Sequence, residues 1–294
     1  TWMDAKVGDW VVTPRIGKPV EVNALWLNAL VTLADFARRL GKPSGPYEAL
    51  AQRARQGFQR YWNESTGCCY DVLDGPDGND ASLRPNQIFG VSLPESPLSP
   101  AQQRAVVDVC ARQLLTSHGL RSLAPAHPHY QGHYGGDQRQ RDAAYHQGTV
   151  WGWLLGPFAL AHVRVYNHPA QAAAFLEPMA HHLRVHGLGS ASEIFDGDPP
   201  FTPRGCIAQA WTVAELLRVW MTIASAKSAS ATSSWKGVAQ KRARRGRVRS
   251  QAFAGTSKRI VEEERPHESD CGDSRHAQQR SSAGGAEAAA RGDS

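Results

Sequence analysis

The chain of 294 residues lacks the patterns that would place it in several large classes. It has five cysteines, an odd number, and no C-x-x-C or zinc-ligand spacing among them. Cys68 and Cys69 are adjacent, and Cys110, Cys206 and Cys271 stand alone, so no disulfide framework is expected. No run of apolar residues reaches the ~18–20 that a membrane span needs. Val150–Val165 comes nearest, interrupted by Gly156, Pro157 and His162. No signal segment is visible, and the free-thiol pattern points to a reducing compartment, so the expected location is the cytoplasm. Alternating strand-like runs are scarce, and no clean internal repeat is present.

Net charge is also missing where it would matter. The +6 of the chain belongs to the segment after Ala226, which holds 14 of the 33 Lys and Arg and 8 of the 27 Asp and Glu. The remainder carries 19 basic and 19 acidic residues and is formally neutral. The basic pI therefore says nothing about what the folded part binds.

What the sequence does contain is helical periodicity. In Val20–Leu40, apolar residues recur three and four apart before Gly41 and Pro43 stop the run. Gly45–Trp62 follows as a second helix. Ser99 and Pro100 make a good helix start, an N-cap followed by proline in the first turn. Ala143–Tyr166, Ala170–His186 and Gly205–Ser225 predict three more helices. Long polar loops lie between them at Thr66–Ser82, Leu123–Arg141 and Gly187–Arg204. Helical hairpins with short links on one side and long loops on the other predict a ring or solenoid with function gathered on the loop face. From 226 to 294 the chain is rich in Ser, Ala, Arg and Gly without apolar periodicity, and disorder is expected. Its Lys241–Arg249 run is the sole hint of nucleic-acid binding, and a solvated charge run is the commoner explanation.

Three stretches concentrate carboxylates, planar hydrogen-bonding groups and tryptophan. They are TWMDAKVGDWVVTPRIGKPVEVNALW, YGGDQRQRDAAYHQGTVWGW and SASEIFDGDPPFTPRGCIAQAW. Sugars offer hydroxyls to Asp, Asn, Gln and Arg, and apolar C–H faces to Trp. Two carboxylates can then work a glycosidic bond as acid and base. A single Asp or Glu in such a loop more often caps a helix or pairs with a cation. At least one of Trp151 and Trp153 is expected in the core, beside Leu154, Leu155 and Phe158. His182 and His186 have the spacing of a helical metal pair, but no third ligand accompanies them, and zinc is not expected.

RIGKPVEVNALW, RPNQIFGVSLP, GGDQRQRDAAYHQGTVWGWLLGPF and SEIFDGDPPFTPRGCIAQAWTVAE occur in that order. Together they resemble the C-terminal amylo-α-1,6-glucosidase domain of bacterial and archaeal glycogen debranching enzymes. The resemblance covers most of Thr1–Thr222. It implies an all-α fold, part of an (α/α) toroid of helical hairpins, over residues 1–225. It implies an inverting hydrolase that removes α-1,6-linked glucose at branch points of glycogen or a related α-glucan, without metal or organic cofactor. The Asp of T-W-M-D, here Asp4, would be the general acid, with its pKa raised by burial against Trp2 and Met3 or lowered by Lys6 or Arg15. Glu193 of SEIFDG would be the general base, with Asp196 and Asp198 as neighbouring competitors. Substrate-facing roles would fall to Arg15, Asn23, Trp26, Asn86, Gln87, Tyr145, His146, Gln147, Trp151, Gln209 and Trp211.

In this family the domain is already under way before T-W-M-D, so the 294-residue chain alone is expected to expose an apolar face and to be poorly soluble or inactive. Two other readings remain: a toroid α-glucosidase acting on small α-glucosides, and an inactive fragment that only binds glucan.

Overall fold

The computed structural model describes residues 1–225. The predicted disorder from 226 onward, and the Lys241–Arg249 run, lie outside the described residues. Nine helices organise the described part. They are α1 (Val20–Arg39), α2 (Gly45–Phe58), α3 (Phe89–Ser92), α4 (Pro100–Gln113), α5 (Gln138–Tyr145), α6 (Leu155–Tyr166), α7 (Pro169–Ala174), α8 (Glu177–Val185) and α9 (210–225).

α1 forms an antiparallel hairpin with α2, closed by Gly41 at φ +63°. Leu27 and Leu30 pack against Ala51 between them, while Val20 and Ala24 enter the main core. α4 starts at the expected cap: Ser99 accepts from the Gln102 N–H, and the Gln102 side chain accepts from the Ser99 N–H. This reciprocal pair satisfies two backbone donors that a helix start would leave open.

α6 is the centre of the molecule. Phe158 and Ala161 enter a core shared with α1, α3 and α4, where Val106, Val107, Ile88 and Val91 are buried. Leu155 and Ala159 enter a second core with Ala172, Met179, Val219 and Ile223 of α7, α8 and α9. A helix buried on both sides must be apolar all round. That explains why Leu155–Val165 is among the most apolar stretches of the sequence.

Three expected helices are corrected. Ala143–Tyr166 is broken: α5 ends at Tyr145, Gly148 takes φ +151°, and Val150–Trp151 are extended. Ala170–His186 divides into α7 and α8, with Pro178 in the first turn of α8. The last helix starts at 210 rather than at Gly205, which sits at φ +65° in a turn.

The expectation of an all-α fold is also corrected. Eleven short strands form four antiparallel sheets among the described residues. One places Pro203–Arg204, Ile194–Phe195, Val150–Trp151 and Leu120–Arg121 side by side. Ile194 lies opposite Trp151 on one side and Arg204 on the other. Another joins Lys18–Pro19 to Val72–Gly75 and Gly78–Asp80 within the loop expected at Thr66–Ser82. Strands of two to four residues leave no alternating pattern in a sequence, so composition could not reveal them.

The claim that no apolar run is long enough for a membrane needs amendment. By length and composition alone α1 passes, with mean hydropathy 1.2 over 18 residues and 39% of that window buried. Core helices of soluble domains pass the same criterion, and Leu27, Leu30 and Ala34 of α1 are core. Its other side leaves Leu25, Trp26, Leu33 and Phe36 exposed, and α9 leaves Leu217, Trp220 and Met221 exposed.

Candidate active site

Trp2 seats the first segment. Its indole N–H donates to Asn86 Oδ1 at 2.8 Å. Its ring meets His146, Trp151 and Trp153 edge-on at centroid distances of 5.4, 5.1 and 5.2 Å. Met3 is buried, with its sulfur against the Arg84 guanidinium and the Asn86 amide. Asp4 follows directly and is exposed, just before the hairpin of Lys6–Val7 with Trp10–Val11. Its neighbours Met3 and Ala5 are both buried, and the Arg15 guanidinium is held by Glu21 and Asp71.

Glu193 lies at the other end of the same aromatic surface. It precedes Ile194, so the four-stranded sheet delivers it beside Trp151. Tyr145 donates its hydroxyl to Glu193 Oε1 in a short hydrogen bond, and the Cys206 N–H donates to Oε2 at 2.9 Å. Both donors are neutral. Asp196, by contrast, is paired with Arg204 at 3.0 Å and accepts from the Tyr134 N–H at 2.8 Å. Asp198 is exposed and accepts from the Tyr130 hydroxyl. Among the three carboxylates of SEIFDGD, only Glu193 is held within hydrogen-bonding reach of the aromatic surface.

The rings form one continuous cluster, in which His146, Trp151 and Trp153 are buried and Trp2, Tyr145 and Trp211 reach solvent. Tyr145 and Trp151 lie 4.9 Å apart, His146 stacks on Trp151 at 5.2 Å, and Trp153 stacks on Trp211 at 4.1 Å and 14°. Trp211 is 42% exposed and forms the outer edge. Gln209 stands beside it, its side-chain oxygen accepting from the Thr212 hydroxyl.

Beneath lies a buried polar layer. Arg15 donates to Glu21 at 2.5 and 2.6 Å and to Asp71 at 2.6 and 3.0 Å. The Asn86 amide donates to Asp71 Oδ1 at 2.8 Å. Arg84 donates to the His146 carbonyl at 2.7 Å and to Gln147 Oε1 at 2.7 Å. Gln87 accepts from the Cys69 N–H. A buried charge survives only when paired and hydrogen-bonded; Arg15 and Asp71 meet that condition, while Arg84 Nε has no hydrogen-bond partner and lies 3.8 Å from Asp71. Burial pushes the Asp71 carboxyl up, against the pull of Arg15.

The structure thus brings together eleven of the thirteen residues singled out in the sequence. Tyr145, His146, Trp151 and Trp211 form one aromatic cluster, with His146 and Trp151 buried and Tyr145 and Trp211 reaching solvent. Tyr145 holds Glu193 against it, Gln209 bonds Thr212 beside Trp211, and Asp4 is exposed two residues after Trp2. Arg15, Asn86, Gln87 and Gln147 support the cluster from below. Asn23 and Trp26 do not join them. They lie on α1 with Lys18, Arg60 and Tyr61 around a separate surface hollow of about 330 Å³.

Sequence reasoning missed Trp2 as an anchor, Tyr134 against Tyr145 at 5.7 Å, and the support given by Asp71 and Arg84. Lone charges between apolar neighbours, as in Y-D-V and L-R-P, were the available signal.

Burial, then the hydrogen bond to Glu193, pushes the Tyr145 hydroxyl well above the ordinary range, so it remains a donor. Replacing it by Phe leaves Glu193 Oε1 without that donor. Tyr145→Phe is expected to lower turnover about tenfold or more and to lower the melting temperature too, on the scale of one hydrogen bond to a charged group. Steady-state kinetics and a thermal melt check it.

Burial, first, and the charges of Arg84 and Arg15 push His146 from 6.5 down to about 3. Burial, with His182 and His181, brings His118 to about 4. Below about pH 6.5 the unfolded chain binds protons at these positions that the native state refuses. Stability is therefore whole above pH 6.5 and falls as pH drops toward about 3. His146→Phe is expected to flatten that decline, measured as melting temperature between pH 7 and 4; an unchanged slope would refute it.

A carboxylate held against a tryptophan cluster on a helical scaffold is equipment that glycoside hydrolases use. A family model described as Amylo-alpha-1,6-glucosidase matches residues 1–218, and the chain belongs to that family. Among solved structures it is similar to the GH63 mannosylglycerate hydrolase of Thermus thermophilus, at 18% identity and TM-score 0.52, covering 69% of this chain and 45% of that one. It is similar also to the neutral trehalase of Saccharomyces cerevisiae, at 14% identity and TM-score 0.51, covering 69% of this chain and 37% of that one. These likenesses concern the fold, and the chain spans less than half the length of either structure. A comparison with curated proteins finds no match.

Proposed function

We propose that this site removes α-1,6-linked glucose at branch points of glycogen or a related branched α-glucan, with inversion at the anomeric carbon. Asp4 is the general acid and Glu193 the general base. The observation that carries this is the aromatic surface joining the two: Trp2 anchors the Asp4 segment on Trp151, and Tyr145, packed on Trp151, holds Glu193. Family membership supports the substrate class.

The chemistry follows from the positions. The apolar face of a terminal glucose stacks on Trp211, the exposed ring of the cluster. Asp4, at the open end, gives its proton to the departing 6-oxygen as the C1–O6 bond breaks. Glu193, on the opposite ring face, takes a proton from the water whose oxygen bonds to C1. Inversion requires the two carboxyl groups to stand about 6.5–9.5 Å apart, with the water between. The helical hairpins would form part of an (α/α) toroid around this site. The free thiols Cys68, Cys69, Cys110 and Cys206 favour a cytoplasmic setting.

The test is the product. Proton NMR of a branched limit dextrin digest should show β-glucose released first, and a panel of small α-glucosides should be poorer substrates. Initial release of α-glucose would overturn the inverting mechanism, and faster cleavage of the small α-glucosides would overturn the substrate assignment.

A further inference from the structure

We propose that the Gly205–Cys206 turn is the positioning element of Glu193, fixing which carboxylate oxygen faces the attacking water. This rests on Glu193 being the base, and the experiment below separates the two ideas. Cys206 grips Glu193 from both sides of its own peptide chain. Its carbonyl accepts from the Glu193 N–H at 3.0 Å, and its N–H donates to Glu193 Oε2 at 2.9 Å. The two bonds close a ring through main chain and side chain, so the carboxylate cannot rotate without breaking one of them.

Glycine suits that turn. Gly205 has φ +65°, a left-handed conformation that disfavours a residue with a Cβ. Space is the second constraint. A Cβ on Gly205 would lie 2.5 Å from Glu193 Oε2, 3.2 Å from its Cδ and 3.0 Å from Ile194 Cγ1. The turn therefore presses its bare α-carbon against the carboxylate and aims the next amide at it. The sheet sets the register, since Arg204 pairs with Ile194 on the strand that follows Glu193.

The Tyr145 hydroxyl holds Oε1 and the Cys206 amide holds Oε2. An ionised carboxylate has about four lone-pair sites. Two are filled by fixed donors, which leaves the others for the attacking water. The consequence is a carboxylate aimed without any cation, so its charge stays available to the reaction.

The experiment compares Cys206→Pro, which lacks the N–H, with Cys206→Ala, which keeps it. Two probes are titrated against tryptophan fluorescence: 1-deoxynojirimycin, a glucose-shaped amine that is cationic at neutral pH, and glucose itself. Relative to Cys206→Ala, Cys206→Pro should bind the amine at least about tenfold more weakly, the scale of one charge-assisted hydrogen bond. Glucose affinity should change less than about threefold, because the tryptophan surface is untouched. Gly205→Ala should show the same split and serves if the proline variant melts early. Equal changes for both probes, or none, in the variant that folds would overturn the positioning role. Unchanged amine binding in Glu193→Gln would overturn the base assignment as well.

Discussion

Glu193→Gln and Asp4→Asn should each lower glucose release from branched limit dextrin by about a thousandfold, within the span usual for a lost general acid or base. Glucan binding should persist in both, because Trp211, the exposed ring of the cluster, is untouched. The variants should differ in stability. Asp4 is exposed, so Asp4→Asn should melt with the parent protein. Glu193 accepts from two fixed donors, and an amide can satisfy only one of them with its single oxygen. Glu193→Gln should therefore melt lower as well as turn over more slowly. Turnover within tenfold of the parent in either variant would remove that residue from the chemistry, and lost binding would show that it holds substrate instead.

The largest structural effect is expected at Asp71, which lies outside every motif of the sequence. Its carboxylate receives Arg15 and Asn86, and Arg84 stands 3.8 Å away. Asp71→Ala would leave Arg15 with Glu21 alone and take the acceptor from the Asn86 amide, within a buried layer. Breaking a buried pair from one side costs about 3–5 kcal/mol. In a domain of this size that is about 10 °C of melting temperature. The damage should also reach the site, since Asn86 holds the Trp2 indole. A melting temperature within 2–3 °C of the parent, on the scale of about 1 kcal/mol, would mean that the layer contributes little.

The helices were legible where one face repeats and a cap closes the end. α1 and α4 carry both signals, Gly41 in one case and Ser99 with Gln102 in the other. Legibility failed between Tyr145 and Leu155. Apolar content there is high because the segment crosses the core as a strand, pairing with Ile194–Phe195 and Leu120–Arg121. Nothing local distinguishes that from a buried helix except Gly148 and Gly152. The polar and aromatic residues of the site were visible as loop composition, and their resemblance to a family gave them roles. Their depth was not visible. Arg15 is buried because of Asp71, 56 positions away in a stretch that composition marks as a polar loop. Asn23 and Trp26 sit in the same motif as Arg15 and Glu21, yet the turn of α1 carries them to another surface.

Trp2 has a consequence for the order of folding. Its hydrogen-bond partner is 84 positions along the chain, and its ring partners are further still, at 146, 151, 153 and 211. Contacts of such separation close late, after the loops between them have been ordered. The segment bearing the acid can dock only on a surface that the rest of the chain has already assembled. Partly folded molecules would then have a base without an acid, and activity would return after the helices in any refolding experiment.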